Sequence, residues 1–143
     1  MDVKQISVFL ENKPGTLNEM TKVLTDHEID LRALSLAETT DFGIARFITA
    51  DVLETISILK DAGYVSSLTP VVVAEIPDEA GALNRVLQIF TEYNINLEYM
   101  YAILGSKSGH AYMIFRVQDD KKAAAALVAN GIRVLSQEDM AEI

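Results

Sequence analysis

The stretch Glu11-Asn12-Lys13-Pro14-Gly15-Thr16-Leu17-Asn18 returns sixty-six positions later as Pro77-Asp78-Glu79-Ala80-Gly81-Ala82-Leu83-Asn84. Gly15, Leu17 and Asn18 recur as Gly81, Leu83 and Asn84. Each stretch follows an apolar run alternating at strand period and opens a segment with helical period. A chain of this kind is built from two copies of one strand–turn–helix device, and that repetition constrains the fold more than any other feature.

The surrounding residues extend each copy. Residues 5–10 alternate, with Ile6, Val8 and Leu10 on one face. Thr16 with Glu19 three residues on reads as an N-cap and capping box. Leu17, Met20, Val23 and Leu24 then form one stripe of a helix reaching about His27. Strands are expected at 31–38 and 43–50 around a turn. A second helix is marked by Asp51 with Glu54, by the stripe Val52, Ile56 and Leu59, and by Gly63 as its stop. Residues 65–68 would be a fourth strand, and Pro70 closes the unit.

In the second copy Val72, Ala74 and Ile76 stand for Ile6, Val8 and Leu10, and Leu83, Val86, Leu87 and Phe90 form the first helical stripe. Ile95-Asn96-Leu97 repeats Ile29-Asp30-Leu31. Gly109 and Ala111 repeat Gly43 and Ala45 at the same spacing, while Gly131 answers Gly63 two positions late. That places a two-residue insertion after Ala111. Asp119 or Asp120 caps the last helix, residues 132–135 form the last strand, and residues 137–143 read as a loose acidic tail. The expected fold is therefore α+β: two ferredoxin-like βαββαβ units, each a four-stranded antiparallel sheet with two helices on one face, over residues 1–69 and 70–143. A core of about seventy residues is marginal alone, so side-by-side packing of the units is expected.

Charge excludes several function classes. The formal net charge is -9, from 6 basic and 11 acidic residues in 1–70 and 6 and 10 in 71–143. Neither half offers a basic face for phosphates, which argues against nucleic acid and anionic membranes. The absence of cysteine removes thiolate metal sites and cysteine nucleophiles. With no apolar run of spanning length and no leader-like start, a cytoplasmic protein is expected.

Asn12-x-Pro14-Gly15-Thr16-Leu17, followed by Ile29-Asp30-Leu31 and a glycine-led third strand, resembles the ACT domain, the regulatory module that binds amino acids in many biosynthetic enzymes. Asp78-x-Ala80-Gly81-Ala82-Leu83 with Ile95-Asn96-Leu97 resembles it again, so the likeness covers nearly the whole chain. The resemblance implies a tandem ACT-domain sensor with an amino acid held at the interface between paired domains. A homodimer and a metabolic enzyme partner are expected, with no cofactor.

The residues support such a site independently. A glycine between strand end and helix start lets backbone N–H groups approach a ligand, and a helix N-terminus favours an anion such as a carboxylate. Asn12 or Asp78 can accept from an ammonium group. Asp30 and Asn96, at the start of the second strand, are expected beside the entry loop of the first helix as a second polar anchor. The candidate ligand-binding set is Asn12, Pro14, Gly15, Thr16, Leu17 and Asp30, with Asp78, Ala80, Gly81, Ala82, Leu83 and Asn96. Because Asp78 and Glu79 flank the second helix start, the first turn is expected to favour a carboxylate more.

Rival readings are weaker. Residues 107–115 superficially resemble an RNA-binding strand in which His110 and Tyr112 stack bases, but the first strand supplies no aromatic partner and the charge is wrong. His27 and His110 lack metal spacing, and no nucleophile–base set is visible, so neither metal nor catalytic residues are expected. A ferredoxin-like enzyme of isomerase or phosphatase type would need an arginine-lined pocket, yet Arg32, Arg46, Arg85 and Arg116 do not recur at matching positions. A purely structural assembly subunit is the remaining alternative. The open sheet face carrying Ile44, Ile48, Tyr112 and Ile114 is expected to be covered by a second copy.

Overall fold

A computed structural model describes residues 2–105 and 107–143. Its elements are β1 (Val3–Glu11), α1 (Thr16–Asp26), β2 (Ala33–Glu38), β3 (Phe42–Ile48), α2 (Val52–Asp61), β4 (Ser66–Pro77), α3 (Ala82–Glu92), β5 (Leu97–Ala102), β6 (His110–Val117), α4 (Asp120–Ala129) and β7 (Arg133–Leu135), with a 3-10 turn at Glu138–Ala141. They gather into two compact units, Lys4–Thr69 and Pro70–Ile143, the latter with the first residues of the chain. Both follow the βαββαβ order of the ferredoxin-like fold.

In the first unit β3 pairs antiparallel with β1 and with β2. Ile6, Val8 and Leu10 share a face with Ala45 and Phe47, and Met20 and Leu24 of α1 and Leu59 of α2 pack onto it. The alternation of β1 and the stripe of α1 thus meet in one core. Each fully buried Leu or Phe there contributes about 1.5–3 kcal/mol. In the second unit β4 pairs with β6 and β7, and β5 with β6, all antiparallel. Val72, Ala74, Ile76, Phe115 and Val117 face Val86, Ile89 and Phe90 of α3 and Ala123, Ala126 and Leu127 of α4. Phe90 and Phe115 meet edge to face, ring centres 5.3 Å apart at 89°.

Four expectations are corrected. The fourth strand does not stop at residue 68, because β4 runs without a break through Pro70, where the two units divide; proline's fixed φ is compatible with extended backbone, and only its missing N–H excludes it from some ladder positions. The two extra residues lie before β6, in the loop after β5. Ile6 pairs with Phe47 while Val72 pairs with Phe115, so β6 is already shifted by sixty-eight. Gly109 therefore occupies the place of Asp41: Asn12 N–H donates to Asp41 O at 2.9 Å, and Asp78 N–H to Gly109 O at 3.0 Å. The glycine match at spacing sixty-six was a coincidence of loop chemistry.

The tail is not loose. The N–H and hydroxyl of Ser136 donate to Asp139 Oδ2 at 2.8 and 3.0 Å, and Met140 is fully buried. One apolar side chain among acids anchors a segment whose composition suggests none. Finally, Ile48, Tyr112 and Ile114 are buried, whereas Ile44 of the same expected face stays partly open beside the exposed Phe9 and Phe42.

Candidate functional site

Both glycine turns place a helix N-terminus over a cavity. Gly15 and Gly81 are the N-caps of α1 and α3, each with φ 90°, and no side chain caps either helix. A residue at that φ cannot also direct a side-chain oxygen at the helix, as extended N-caps do. At α2 and α4 the contrast is direct. Asp51, at φ -116°, accepts from Glu54 N–H, and Asp119, at φ -111°, accepts from Lys122 N–H, both at 3.0 Å. The N–H groups of Leu17 and Asn18, and of Leu83 and Asn84, have no hydrogen-bond partner among the described residues. These are the donors a helix normally leaves for a cap or a ligand.

Thr16 is not the N-cap expected from its spacing to Glu19. It is the first residue of α1, and its hydroxyl donates backwards to Glu11 O at 2.8 Å and Lys13 O at 3.1 Å. It holds the turn closed and leaves the helix start bare. Asn12 does similar work. Its Nδ2 donates to Glu38 Oε2 and Thr39 O, each at 3.0 Å, which ties the turn to the β2–β3 hairpin and leaves Oδ1 as an acceptor. Asn12, Gly15, Thr16 and Leu17 line one cavity of about 140 Å³ with Glu11, Lys13 and Glu38, whereas Pro14 is not in its wall. Lys13 Nζ lies 2.9 Å from Glu11 Oε2, and that carboxylate raises the Lys13 pKa.

The second turn is roomier. Ala80, Gly81 and Ala82 line a cavity of about 400 Å³ with Glu75, Glu79 and Arg85, while Asp78 and Leu83 lie outside its wall. Arg85 was not anticipated as a site residue. Its signal in the sequence was that it stands where the first copy has Glu19. Its Nη2 donates to Asn130 O at 2.8 Å, at the C-terminus of α4. Glu75 is well occupied: Tyr112 OH donates to it at 3.2 Å, and His110 Nδ1 and Arg133 Nη1 lie 3.5 and 3.3 Å away. Burial, with that bond to Glu75, pushes the Tyr112 phenol above its ordinary pKa. A buried, bonded Tyr112 is not a base-stacking platform.

Within each unit the second polar anchor does not join its turn. Asp30 precedes β2 and follows α1, whose 11 residues set the two ends of the helix roughly 16 Å apart. Asp30 instead lies 3.4 Å from Arg32 Nη1. Asn96 lines a separate polar cavity of about 510 Å³ with Thr91, Asn94, Gln118 and Lys122. Topology decides this, since β2 and β5 begin where their helices end.

The comparisons with known proteins agree with this architecture. A family model described as an ACT domain pair matches residues 1–143. No curated protein matches the sequence. Among solved structures, a protein from Bacteroides thetaiotaomicron is similar at 35% identity and TM-score 0.92, covering 100% of this chain and 98% of that one. The regulatory subunit of aspartate kinase from Thermus thermophilus is similar at 14% identity and TM-score 0.67, covering 90% and 93%. That from Thermus flavus gives 14% and 0.62, covering 90% and 92%. At 14% identity the last two speak for the fold alone.

Proposed function

The chain belongs to the ACT domain pair family, and on that footing we propose that it is a regulatory sensor binding an amino acid at its glycine turns. The observation that carries this reading is the pair of uncapped helix starts over cavities, in a chain whose other two helices are capped by aspartates. A zwitterion's carboxylate accepts from the bare N–H groups, and its ammonium is taken by the acceptors nearby: Asn12 Oδ1 and Glu38 at the first turn, Glu79 at the second. Asp30 and Asn96 lie outside the cavity of their own unit's turn.

The fold relatives titled regulatory subunits of aspartate kinase fit a role in which this chain reports effector levels to a metabolic enzyme. The mechanism is differential binding: an effector that contacts one arrangement of the chain better than another shifts the population toward it. Thermal unfolding with each of the twenty common amino acids tests the proposal. A specific ligand at a hundred times its Kd stabilises the fold by about 2.7 kcal/mol, a clear rise in midpoint. Twenty flat traces, with calorimetry also silent, sink it.

A further inference from the structure

We propose that the helix-free face of the first unit's sheet is the surface through which this chain engages a partner protein, and that it seats a basic amphipathic helix of that partner around Phe9, Phe42 and Ile44. The inference gives the sensor an output surface. It rests on the sensor reading only for its purpose, since docking here is measured without any amino acid.

The register builds this face. Ile6, Val8 and Leu10 of β1 turn toward the helices, so Phe9 turns away from them. Phe9 and Ala37 stand opposite Ile44 on its two sides, and Phe42 lies on the same face of β3. Phe9 is 55% exposed and Phe42 57%. With Ile44 and Ala37 they enclose an open basin of about 470 Å³ that has Glu38 and Thr39 in its wall. Single exposed apolar residues are ordinary, whereas a contiguous apolar basin marks an interaction surface.

The second unit shows what these seats hold when no partner is needed. Allowing for the two residues inserted before β6, Phe9, Phe42 and Ile44 correspond to Glu75, His110 and Tyr112. There the phenol and the imidazole meet the Glu75 carboxylate, and Tyr112 is buried. One scaffold thus carries a self-contained polar cluster in one copy and an open apolar triad in the other.

Size and charge choose the occupant. Neighbouring strands set Phe9, Ile44 and Ala37 across roughly 10 Å, which is also the rise from i to i+7 along one stripe of a helix. A stable pairing of two globular surfaces takes about 800 Å² from each side. An aromatic side chain offers roughly 150–250 Å² in full, and these two are half exposed. Glu38 lies in the wall, Glu11 stands opposite Phe42, and Asp41 precedes it. Lys13 is already paired with Glu11, and Arg46 is engaged within the chain. A second copy sets these acids against themselves, whereas lysines or arginines flanking an apolar stripe complement them. Glu38 also lines the cavity of the first glycine turn and accepts there from Asn12 Nδ2 at 3.0 Å, so a docked helix borders the wall of that cavity.

Fluorescence anisotropy with three labelled peptides of about sixteen residues, long enough to hold a helix, tests this. They are an amphipathic Leu/Lys helix, its Leu/Glu counterpart, and a Ser/Lys peptide of the same charge as the first. The Leu/Lys peptide should bind the wild type roughly tenfold or more tighter than the other two. Phe9→Ser with Phe42→Ser should bring it down to the Ser/Lys level, and Phe42→Ser alone should fall between. Leu53→Ser, at an α2 residue 77% exposed, should change nothing. Should the double variant melt early, Phe42→Ser alone decides. Equal binding of Ser/Lys and Leu/Lys peptides would reveal plain charge attraction and overturn the inference, as would Leu/Lys binding that ignores the serine variants. So would a wild-type dimer in sedimentation that Phe42→Ser dissolves, because the occupant is then a second copy. None of these outcomes touches the amino-acid screen, and a flat screen leaves the docking result standing.

Discussion

Replacing Gly81 separates what the turn demands of the backbone from what it demands of space. A Cβ built at this position meets nothing within 4 Å, so no clash contributes to the cost. What remains is the φ of 90°, which an L residue adopts at about 1–2 kcal/mol. Gly81→Ala should therefore lose that amount in urea unfolding, or roughly 2–8 °C of melting midpoint at about 2–4 °C per kcal/mol for a chain of this size. Gly81→Asn should lose less, because asparagine tolerates positive φ better than other residues with a Cβ, and Gly81→Val more, because β-branching narrows the allowed backbone. The order Asn, Ala, Val is the signature of a conformational cost. Equal losses across the three, or a loss above about 4 kcal/mol for Ala, would mean that the turn is crowded and that the reasoning is wrong. A domain has about 5–15 kcal/mol to lose, so all three variants should stay folded.

Three further outcomes follow from the same geometry. Asp51→Ala and Asp119→Ala should each cost about 1 kcal/mol, and the double variant about their sum, because each aspartate caps a different helix; urea midpoints check this. Phe115→Ala should cost about 3–5 kcal/mol, including the edge-to-face contact with Phe90, and chemical denaturation would expose a much smaller loss as a core that collapses around the gap. Asp139 is held below the ordinary carboxylate pKa by the Ser136 N–H and hydroxyl, with Arg133 nearby. Its depressed folded value means that its contribution is complete above the unfolded pKa of about 3.9 and fades as pH falls through the folded one. Ser136→Ala should flatten that part of the stability profile and raise the Asp139 pKa in an NMR titration.

Much of the fold was legible because both periods are written into the sequence twice. Ile6, Val8 and Leu10 lie on the core face they were expected to share, and Asp51 and Asp119 cap as their spacing suggests. What misled was chemistry that serves two purposes. Thr16 and Glu19 have the spacing of a capping box, yet Gly15 takes the cap, since a dihedral angle leaves no mark in the sequence beyond the glycine itself. Gly43 and Gly109 match in spacing while serving different positions, and only the pairing of Phe47 and Phe115 with their neighbours reveals it. Asp30 and Asn96 lie at the far ends of their helices because a helix has length, which a motif does not record. Arg85 was passed over because it fails to recur, although that failure is what distinguishes the second turn from the first.

The left-handed N-caps carry a stereochemical consequence. At positions 15 and 81 the chain asks for the backbone that a mirror-image residue prefers, with φ 90° at both. A D-alanine introduced there by chemical ligation would meet neither the strain of its L counterpart nor the full entropy loss of glycine, so duplication has left two matching points where inverted handedness is the better fit.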